Sequence, residues 1–568
     1  MEVISLNFED VLCELESVLK DATFLSIDGE FTGLNSGPDA SPFDTPAQYY
    51  SRLRAGSMDF LLIQFGLSVF KFDCNTNKYS QRSYNFYTFP KPMNRQAPDN
   101  RFMCQTSSIS FLTDQGFDFN KLFKYGIPYL NASEEEKLVK RLEEKQKLKE
   151  ENNQCLISIP DNDRPQLEEI CSRIENFLTS DAKELIIDRC NSFMRRLVYQ
   201  EARIRWFNKL RIESKIENTW NCLSVQKIGT KEEEEEKEKE KREKEKLELK
   251  QAVGLSNLLK KIVESGKIIV GHNMLLDLCH IVHQFFTPLP SDYAEFKTLL
   301  HGLFPRLLDT KVLCQSQQFK EFVSSSNLNL LFDIVKKPPF SIPEVESVEG
   351  RSYSVSTDKL HEAGYDAYIT GLCFIALSNY LRVTWTPFLG DLLITGSPLL
   401  SSLFNKLPIA RLKDFPYINL VGNDPNPSRD HIFYLTFPKE WKHGDITNLF
   451  SPFGGGYVSW LSDTSAYVGL YRREQAGAVM PKLSKGFQYK IQKYTEHQAT
   501  LQTEVSSKDR KRKLSPCEKA DDAKNDEKSG AAENDDDEWQ VATGKRRKKR
   551  KEQATTGKKA FEENDAWN

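Results

Sequence analysis

From Phe8 to Lys20 the apolar residues fall at Phe8, Val11, Leu12, Leu15, Val18 and Leu19, the three-and-four spacing that predicts an amphipathic helix. The stretch that follows, Phe24-Leu-Ser-Ile-Asp-Gly-Glu-Phe-Thr-Gly-Leu34, predicts a buried strand. Side chains on a strand alternate faces, so Asp28 and Glu30 share one side while Leu25, Ile27 and Phe31 take the other. Met58–Phe72 and Ser83–Phe89 predict further strand segments, with Gly66 breaking the first into a bent strand or hairpin. Strands first, with helices and another strand later, predict an antiparallel meander extended into a mixed α/β sheet.

The pattern then changes. Glu134–Glu151 is nearly all charged, and after Pro160 a small α/β unit is predicted over Arg164–Gln226, with helices at Leu167–Leu178 and Phe193–Arg203. Arg195, Arg196, Arg203 and Arg205 make the second helix region basic, which suits either a phosphate backbone or a solvated face. Lys231–Lys250 sets Glu233 four residues before Lys237 and Glu240 four before Lys244, pairs worth roughly 0.2–0.5 kcal/mol each in a helix, and predicts a solvated helical spacer or a disordered linker. Apolar patterning resumes with a helix at Leu255–Val263, a buried strand at Lys267–Val270, and a turn, Gly271-His-Asn273, whose Asn273 caps a helix from Met274 to Phe286. Phe304–Lys311 predicts a short strand, and His361-Glu-Ala-Gly-Tyr-Asp366 leads into a helix at Ala367–Leu381. From Arg429 the order strand (Ile432–Phe437), helix (Gly444–Phe450), strand (Tyr457–Leu461), strand (Ser465–Tyr471) resembles an RNA-recognition motif. Beyond Gln498 apolar residues almost vanish, which predicts a disordered tail; Lys508–Lys513 and Lys545–Lys551 within it read as nuclear-import signals or RNA-binding arms.

Composition narrows the class. A chain of 568 residues, 28% of them charged, predicts about three domains plus tails. No apolar run approaches the span of a membrane helix, and the first residues lack the basic-then-apolar order of a signal peptide, so a soluble intracellular protein is expected. Eleven cysteines without a Cys-x-x-Cys pair argue for reduced thiols and against a zinc knuckle. The net charge of −3 leaves any attraction to nucleic acid to local basic patches.

Two carboxylates converging in an apolar sheet are costly to bury unless something neutralises them, and a hard divalent cation suits an all-oxygen pair. Asp277, one turn into its helix near a strand's carboxyl end, supplies a third acid. His280 and His283 follow on the same helix, but nothing else in the sequence completes a zinc set. In a continuous helix His361 and Asp366 would point about 140° apart. Gly364 interrupts the pattern, which places His361 in the approach loop and Asp366 in the first turn, facing one pocket. A histidine beside a fourth acid suits a base next to a metal site. Lys311 reads as an ordinary strand-end lysine or as a phosphate contact.

Together Asp28, Glu30, Asp277, Asp366 and His361 form the pattern of the DEDDh exonucleases. The words around them, Ile27-Asp-Gly-Glu-Phe31, Gly271-His-Asn-Met-Leu-Leu-Asp277, Phe304-Pro-Arg-Leu-Leu-Asp-Thr-Lys311 and Leu360-His-Glu-Ala-Gly-Tyr-Asp-Ala-Tyr-Ile-Thr370, resemble the deadenylases of that family, the poly(A)-specific ribonucleases, over nearly everything up to about Tyr494. The resemblance implies an α/β fold: an RNase H-like mixed-sheet nuclease domain (1–160 and 252–390) split by a small α/β nucleic-acid-binding domain of the Arg-x-x-x-His type (164–228) and a charged linker (229–251). An RNA-recognition motif (428–497) and a disordered tail (498–568) complete it. It implies a 3′-to-5′ exoribonuclease that shortens poly(A) tails of RNA and releases 5′-AMP. Asp28, Glu30, Asp277 and Asp366 would hold two Mg²⁺ ions, with His361 as the base and Lys311 on the phosphates. Phe31, Leu34 and Phe111 would stack or wedge the last adenines, and Trp460 would stack on the 5′ 7-methylguanosine cap, its other reading being a core residue. A homodimer is implied, located in the nucleus and cytoplasm, with the nucleolus as a further site.

The sequence departs from this pattern in two places. No Arg-x-x-x-His occurs near Arg195 and Arg196, and Asp463–Leu470 keeps Tyr467 but has Ser465 and Leu470 where aromatics are expected, which weakens base stacking on that sheet. Three rival readings belong to other classes. An inactive RNA-binding scaffold is expected to have lost a metal acid, a DNA-proofreading exonuclease to lack the RNA-recognition motif, and a membrane-anchored small-RNA trimmer to end in an apolar helix.

Overall fold

The acidic strand, Phe24–Phe31, is an inner strand of a mixed seven-stranded sheet. In the computed structural model the described residues are 1–92, 100–151, 157–188, 190–206, 209–217, 220–227, 231–353, 359–385, 398–484 and 486–501. They fall into two compact units, one formed by residues of 1–40, 44–409 and 415–425, the other by those of 41–43, 410–414 and 426–501.

In the first unit the sheet runs in the order Glu2–Val3, Lys78–Tyr87, Leu62–Asp73, Phe24–Phe31, Ile268–Gly271, Leu307–Asp309, with Val345–Ser347 also pairing with Lys78–Tyr87. The three long strands form the expected antiparallel meander, and Ile268–Gly271 and Leu307–Asp309 extend it in parallel. The Phe8–Asp21 helix buries Phe8, Val11, Leu12, Leu15 and Leu19. The Ala363–Trp385 helix packs on the sheet through Phe374, whose ring meets Phe24 edge-on at 4.9 Å, while Phe24 stacks on Phe70 at 4.7 Å.

Four local expectations are corrected. Leu62–Asp73 is one continuous strand, and Gly66 does not break it. Gly66 lies opposite Asp28, and a Cβ there would sit 1.9 Å from the carbonyl oxygen of Ala363, so the glycine is needed for a helix to land on the strand. Asn273 is not the cap of the next helix: it takes φ 60°, Met274 occupies the cap position, and the helix proper is Leu275–Ile281, continued by a π-helical turn at Val282–Phe286. The strand expected over Phe304–Lys311 shrinks to Leu307–Asp309, because Asp309 accepts a hydrogen bond from the Lys311 amide and caps a short helix, Thr310–Cys314. Gly364 lies inside the helix that starts at Ala363, and the backbone instead turns at His361, with φ 65°.

Within the first unit, residues of the 164–228 stretch have a core of their own that includes Leu167, Ile174, Leu197, Val198, Leu223 and Val225. Helices Arg164–Thr179 and Ser192–Arg205 accompany a three-stranded antiparallel sheet in the order Glu184–Ile187, Trp220–Lys227, Leu210–Glu217. The charged spacer is helical over Lys231–Val253.

The second unit holds a four-stranded antiparallel sheet in the order Gly456–Ser462, Ser465–Leu470, Ile432–Thr436, Lys490–Lys493. Helices His443–Phe450 and Ala476–Leu483 accompany it. The disorder expected from residue 498 is corrected for 498–501, which end a helix begun at 494, with Gln498 donating to the Tyr467 hydroxyl at 2.8 Å; the tail from 502, with its two basic clusters, lies outside the described residues. Among the described residues no helix is long and apolar enough to cross a membrane.

Candidate active site

The acidic strand positions the first two carboxylates. Asp28 lies opposite Gly66 and Glu30 opposite Gln64, two residues apart and therefore on one face. Between them Gly29 makes room for a third: a Cβ at that position would stand 3.0 Å from Asp277 Oδ1. Asp366 arrives from the first turn of the Ala363–Trp385 helix. Glu30, His361 and Asp366 each offer a ligand atom, all within 4.8 Å of one another.

That helix start is held by side chains with no motif to announce them. Buried Gln64 accepts a hydrogen bond from the Ala363 amide at 3.0 Å, and buried Asn85 accepts one from the Gly364 amide at 3.2 Å. Both amides belong to the first turn of the helix, where no intrahelical acceptor exists. Two neighbouring strands therefore satisfy the helix end and fix the backbone from which Asp366 projects. The left-handed turn at His361 lets its own amide donate to Asp366 Oδ2 at 3.0 Å, and its ring meets Phe111 edge-on at 4.7 Å.

The site is electrostatically strained when it holds acids alone. Burial, then the Asp277, Asp366 and Glu30 carboxylates, drives the Asp28 carboxyl well above its ordinary range. Burial and the charges of Asp366 and Asp277 do the same to Glu30. Asp277 and Asp366 are each pushed up to about 7, chiefly by burial. Three carboxylate oxygens, Glu30 Oε2, Asp277 Oδ1 and Asp366 Oδ1, are buried without a hydrogen-bond partner. Buried anionic oxygens with open lone pairs are what a hard divalent cation takes as ligands, so these residues fit such an ion.

The other candidates are placed as follows. Phe31 is 5% exposed, its ring 4.7 Å from that of His280. Leu34 is half-buried; its amide donates to the Gln105 side chain, and its carbonyl accepts from Ser57. Lys311 is half-buried and follows Asp309 at the strand end. His280 is buried and held down to about 3 by that burial, and neither it nor His283 joins the ligand group of Glu30, His361 and Asp366.

In the insertion, the residue four after Arg196 is Gln200, where an Arg-x-x-x-His pattern would place histidine. Its side-chain amide exchanges two hydrogen bonds with the backbone of Ile157, at 2.6 and 3.0 Å. Arg205 is paired with Glu168 at 3.0 Å and Glu201 at 2.8 Å, and Arg195 donates to Ser214 at 3.1 Å.

In the second unit Trp460 is 41% exposed and meets the Phe437 ring edge-on at 5.1 Å. Tyr467, by contrast, is covered: Phe43 and Tyr494 pack against its ring, and its hydroxyl pairs with His497 Nδ1 at 2.8 Å. The His497 ring lies flat on Tyr434 at 3.5 Å. Leu470 is core. This sheet face is thus occupied by the chain's own rings, where the sequence predicted only weakened stacking.

Residues 3–374 match the model of the CAF1 family ribonucleases, and residues 422–500 match that of an RNA binding domain. Poly(A)-specific ribonuclease PARN of Homo sapiens is 43% identical over 526 residues, covering 89% of this chain and 82% of that relative. Poly(A)-specific ribonuclease PNLDC1 of Mus musculus is 30% identical over 402 residues, covering 67% and 72%. Among solved structures, Pop2p of S. pombe in its Mg²⁺ and Mn²⁺ bound form aligns with a TM-score of 0.34 at 16% identity, covering 72% of this chain and 97% of that one.

Proposed function

Since the chain belongs to the CAF1 family of ribonucleases and is a poly(A)-specific 3′-exoribonuclease, we propose that it removes 5′-AMP from the 3′ end of poly(A) by hydrolysis at a site for two Mg²⁺ ions. The observation that carries this reading is that Glu30, Asp277 and Asp366 each keep a buried carboxylate oxygen without a partner, with Glu30, Asp366 and His361 offering ligand atoms within 4.8 Å of one another and the charge of Asp277 acting on Glu30. Asp28, Glu30, Asp277 and Asp366 would hold the ions. Bound there, the ions supply the positive charge that activates a water and stabilises the leaving 3′-oxygen.

His361 takes the proton of the attacking water. Its left-handed backbone keeps it outside the helix, and Asp366 accepts its amide, so the imidazole stays beside the acids while its ring position is limited by Phe111. Lys311 supplies positive charge to the substrate phosphates, and Leu34 and Phe111 flank the terminal bases. Phe31 contributes as a buried wall rather than as an open stacking surface. We further propose that Trp460, half exposed and backed by Phe437, is the platform for the 7-methylguanosine cap, whose cationic ring suits an indole face. The active species is proposed to be a homodimer, which sedimentation of the full chain at working concentration would test.

The test of the hydrolytic reading is product analysis. The full chain is given uniformly labelled oligoadenylate beside oligouridylate and DNA, with Mg²⁺ and with chelator, together with Asp28→Ala and Glu30→Ala. Stepwise 5′-AMP release by the wild type, lost on chelation and in both variants while RNA binding persists, is expected. Turnover that survives chelation or either substitution would refute the two-ion reading.

A further inference from the structure

Another buried carboxylate, close enough for its charge to act on Asp277, is used in a different way. Asp309 is 1% exposed, and both its oxygens are taken by backbone amides: Oδ1 accepts from Asn273 at 3.0 Å and from Lys311 at 2.9 Å, and Oδ2 accepts from Met274 at 3.0 Å. Unlike Glu30, Asp277 and Asp366, it has no oxygen without a partner. Asn273 sits at φ 60°, in the left-handed region that asparagine enters at some cost and glycine enters freely. The helix carrying Asp277 starts two residues later, at Leu275.

The same two strand ends are cross-linked a second time. Thr310 Oγ1 donates to the Gly271 carbonyl at 3.0 Å and lies 2.9 Å from His272 Nδ1, and His272 Nε2 reaches the Ser326 carbonyl at 2.8 Å. His272 is buried and held down to about 3 by that burial and by Lys311, which makes this a fixed link. One carboxylate thus joins the turn before Asp277 to the backbone of Lys311, the residue assigned to the substrate phosphates.

We propose that Asp309 is a positioning residue that sets the Asn273–Met274 turn, and through it Asp277, while fixing Lys311 in register, so that metal affinity and RNA affinity depend on it together. This rests on the metal reading above. It goes beyond that reading by adding to the site a carboxylate that is not a ligand.

The experiment measures Mn²⁺ binding to the full chain by calorimetry, and separately kcat and KM on oligoadenylate at saturating Mn²⁺, for wild type and Asp309→Asn. Asparagine keeps the volume and one acceptor oxygen but turns an NH₂ toward an amide that now has no partner. Outer-shell partners of metal ligands are worth about 10–100-fold in affinity, so Mn²⁺ should bind at least tenfold more weakly and KM should rise more than kcat falls. Leu308→Val, a neighbouring core change chosen to lower the melting temperature comparably, should leave both values in place. Adding Asn273→Gly to Asp309→Asn should recover part of the lost Mn²⁺ affinity, because glycine accepts φ 60° without strain. Unchanged Mn²⁺ affinity and KM in folded Asp309→Asn would overturn the proposal, as would an equal loss in Leu308→Val or no recovery in the double variant. If Asp309→Asn does not fold, Asp309→Ser is judged by the same criteria. A wild type that binds no Mn²⁺ would sink the metal reading itself, whereas wild-type binding with an unaffected Asp309→Asn sinks this proposal alone.

Discussion

Replacing Asp366 by asparagine should stabilise the metal-free protein while abolishing its activity. The carboxyl is raised from 3.8 to about 7, mainly by burial. The folded state therefore binds a proton that the unfolded state gives up, and stability falls as pH rises through this interval and stays low above it. At about 1.4 kcal/mol per unit, an ionised Asp366 costs the fold on the order of 4 kcal/mol at pH 8. Asparagine removes that charge and can still accept from the His361 amide, but its NH₂ group is left buried without a partner, at about 1–3 kcal/mol. The net gain is about 1–3 kcal/mol, which for a unit of about 400 residues raises the melting temperature by roughly 1–4 °C. Because the wild-type cost shrinks as pH falls, the advantage should reverse between about pH 4.5 and 6. Calorimetric melts in chelator at pH 8, 7, 6 and 5 read this directly. Adding Mn²⁺ at pH 8 should restore the usual order, since only the wild type retains its full ligand set. A variant no more stable than wild type at pH 8 without metal, or a difference indifferent to pH, would refute the reasoning.

Gly66→Ala puts a methyl 1.9 Å from the Ala363 carbonyl oxygen, so the helix start must shift; activity should fall at least about 100-fold, as expected for a displacement near 1 Å, and normal turnover would show that the helix start tolerates the shift. His361→Asn should lower kcat by about 10²–10⁴-fold with little change in RNA affinity; a kcat within a few-fold of wild type would transfer the base role elsewhere. Trp460→Ala should leave hydrolysis of uncapped poly(A) unchanged and weaken binding of 7-methylguanosine nucleotides several-fold, in line with about 0.5–2 kcal/mol for a cation on an indole face; a variant that melts early and still binds cap would return Trp460 to the core.

The acidic strand was legible because a period of two places Asp28 and Glu30 on one face whatever surrounds them. Asp366 beside His361 was also legible, though for a different local reason: the turn is made by the positive φ of His361, and Gly364 continues the helix. A glycine in an apolar run reads as a break when only its own segment is visible. At Gly66 the deciding atom belongs to Ala363, about three hundred residues away in the chain. The same limit hid Gln64, Asn85 and Asp309, whose partners are backbone amides on other elements. A side chain whose task is to satisfy a distant amide leaves no spacing pattern.

The RNA-binding domain shows what a pattern can and cannot convey. Its first strand, helix and hairpin were read from periodicity, but Ala476–Leu483 contains a proline and Lys490–Lys493 buries only Ile491, so neither carries a periodic signal strong enough to read. The departure at Ser465 and Leu470 predicted poor base stacking because aromatics were missing. The cause in the fold is different: Tyr467 and Tyr434 are present and are covered by Phe43, Tyr494 and His497. An aromatic platform already stacked on protein rings offers a base only what is left after those rings are displaced, and each displaced pair forfeits about 0.5–1.5 kcal/mol. Trp460 carries no such burden, since its partner Phe437 meets it edge-on and leaves it 41% exposed. The loss of the ordinary face and the availability of Trp460 are therefore one physical argument for a domain that recognises its ligand at the rim of the sheet.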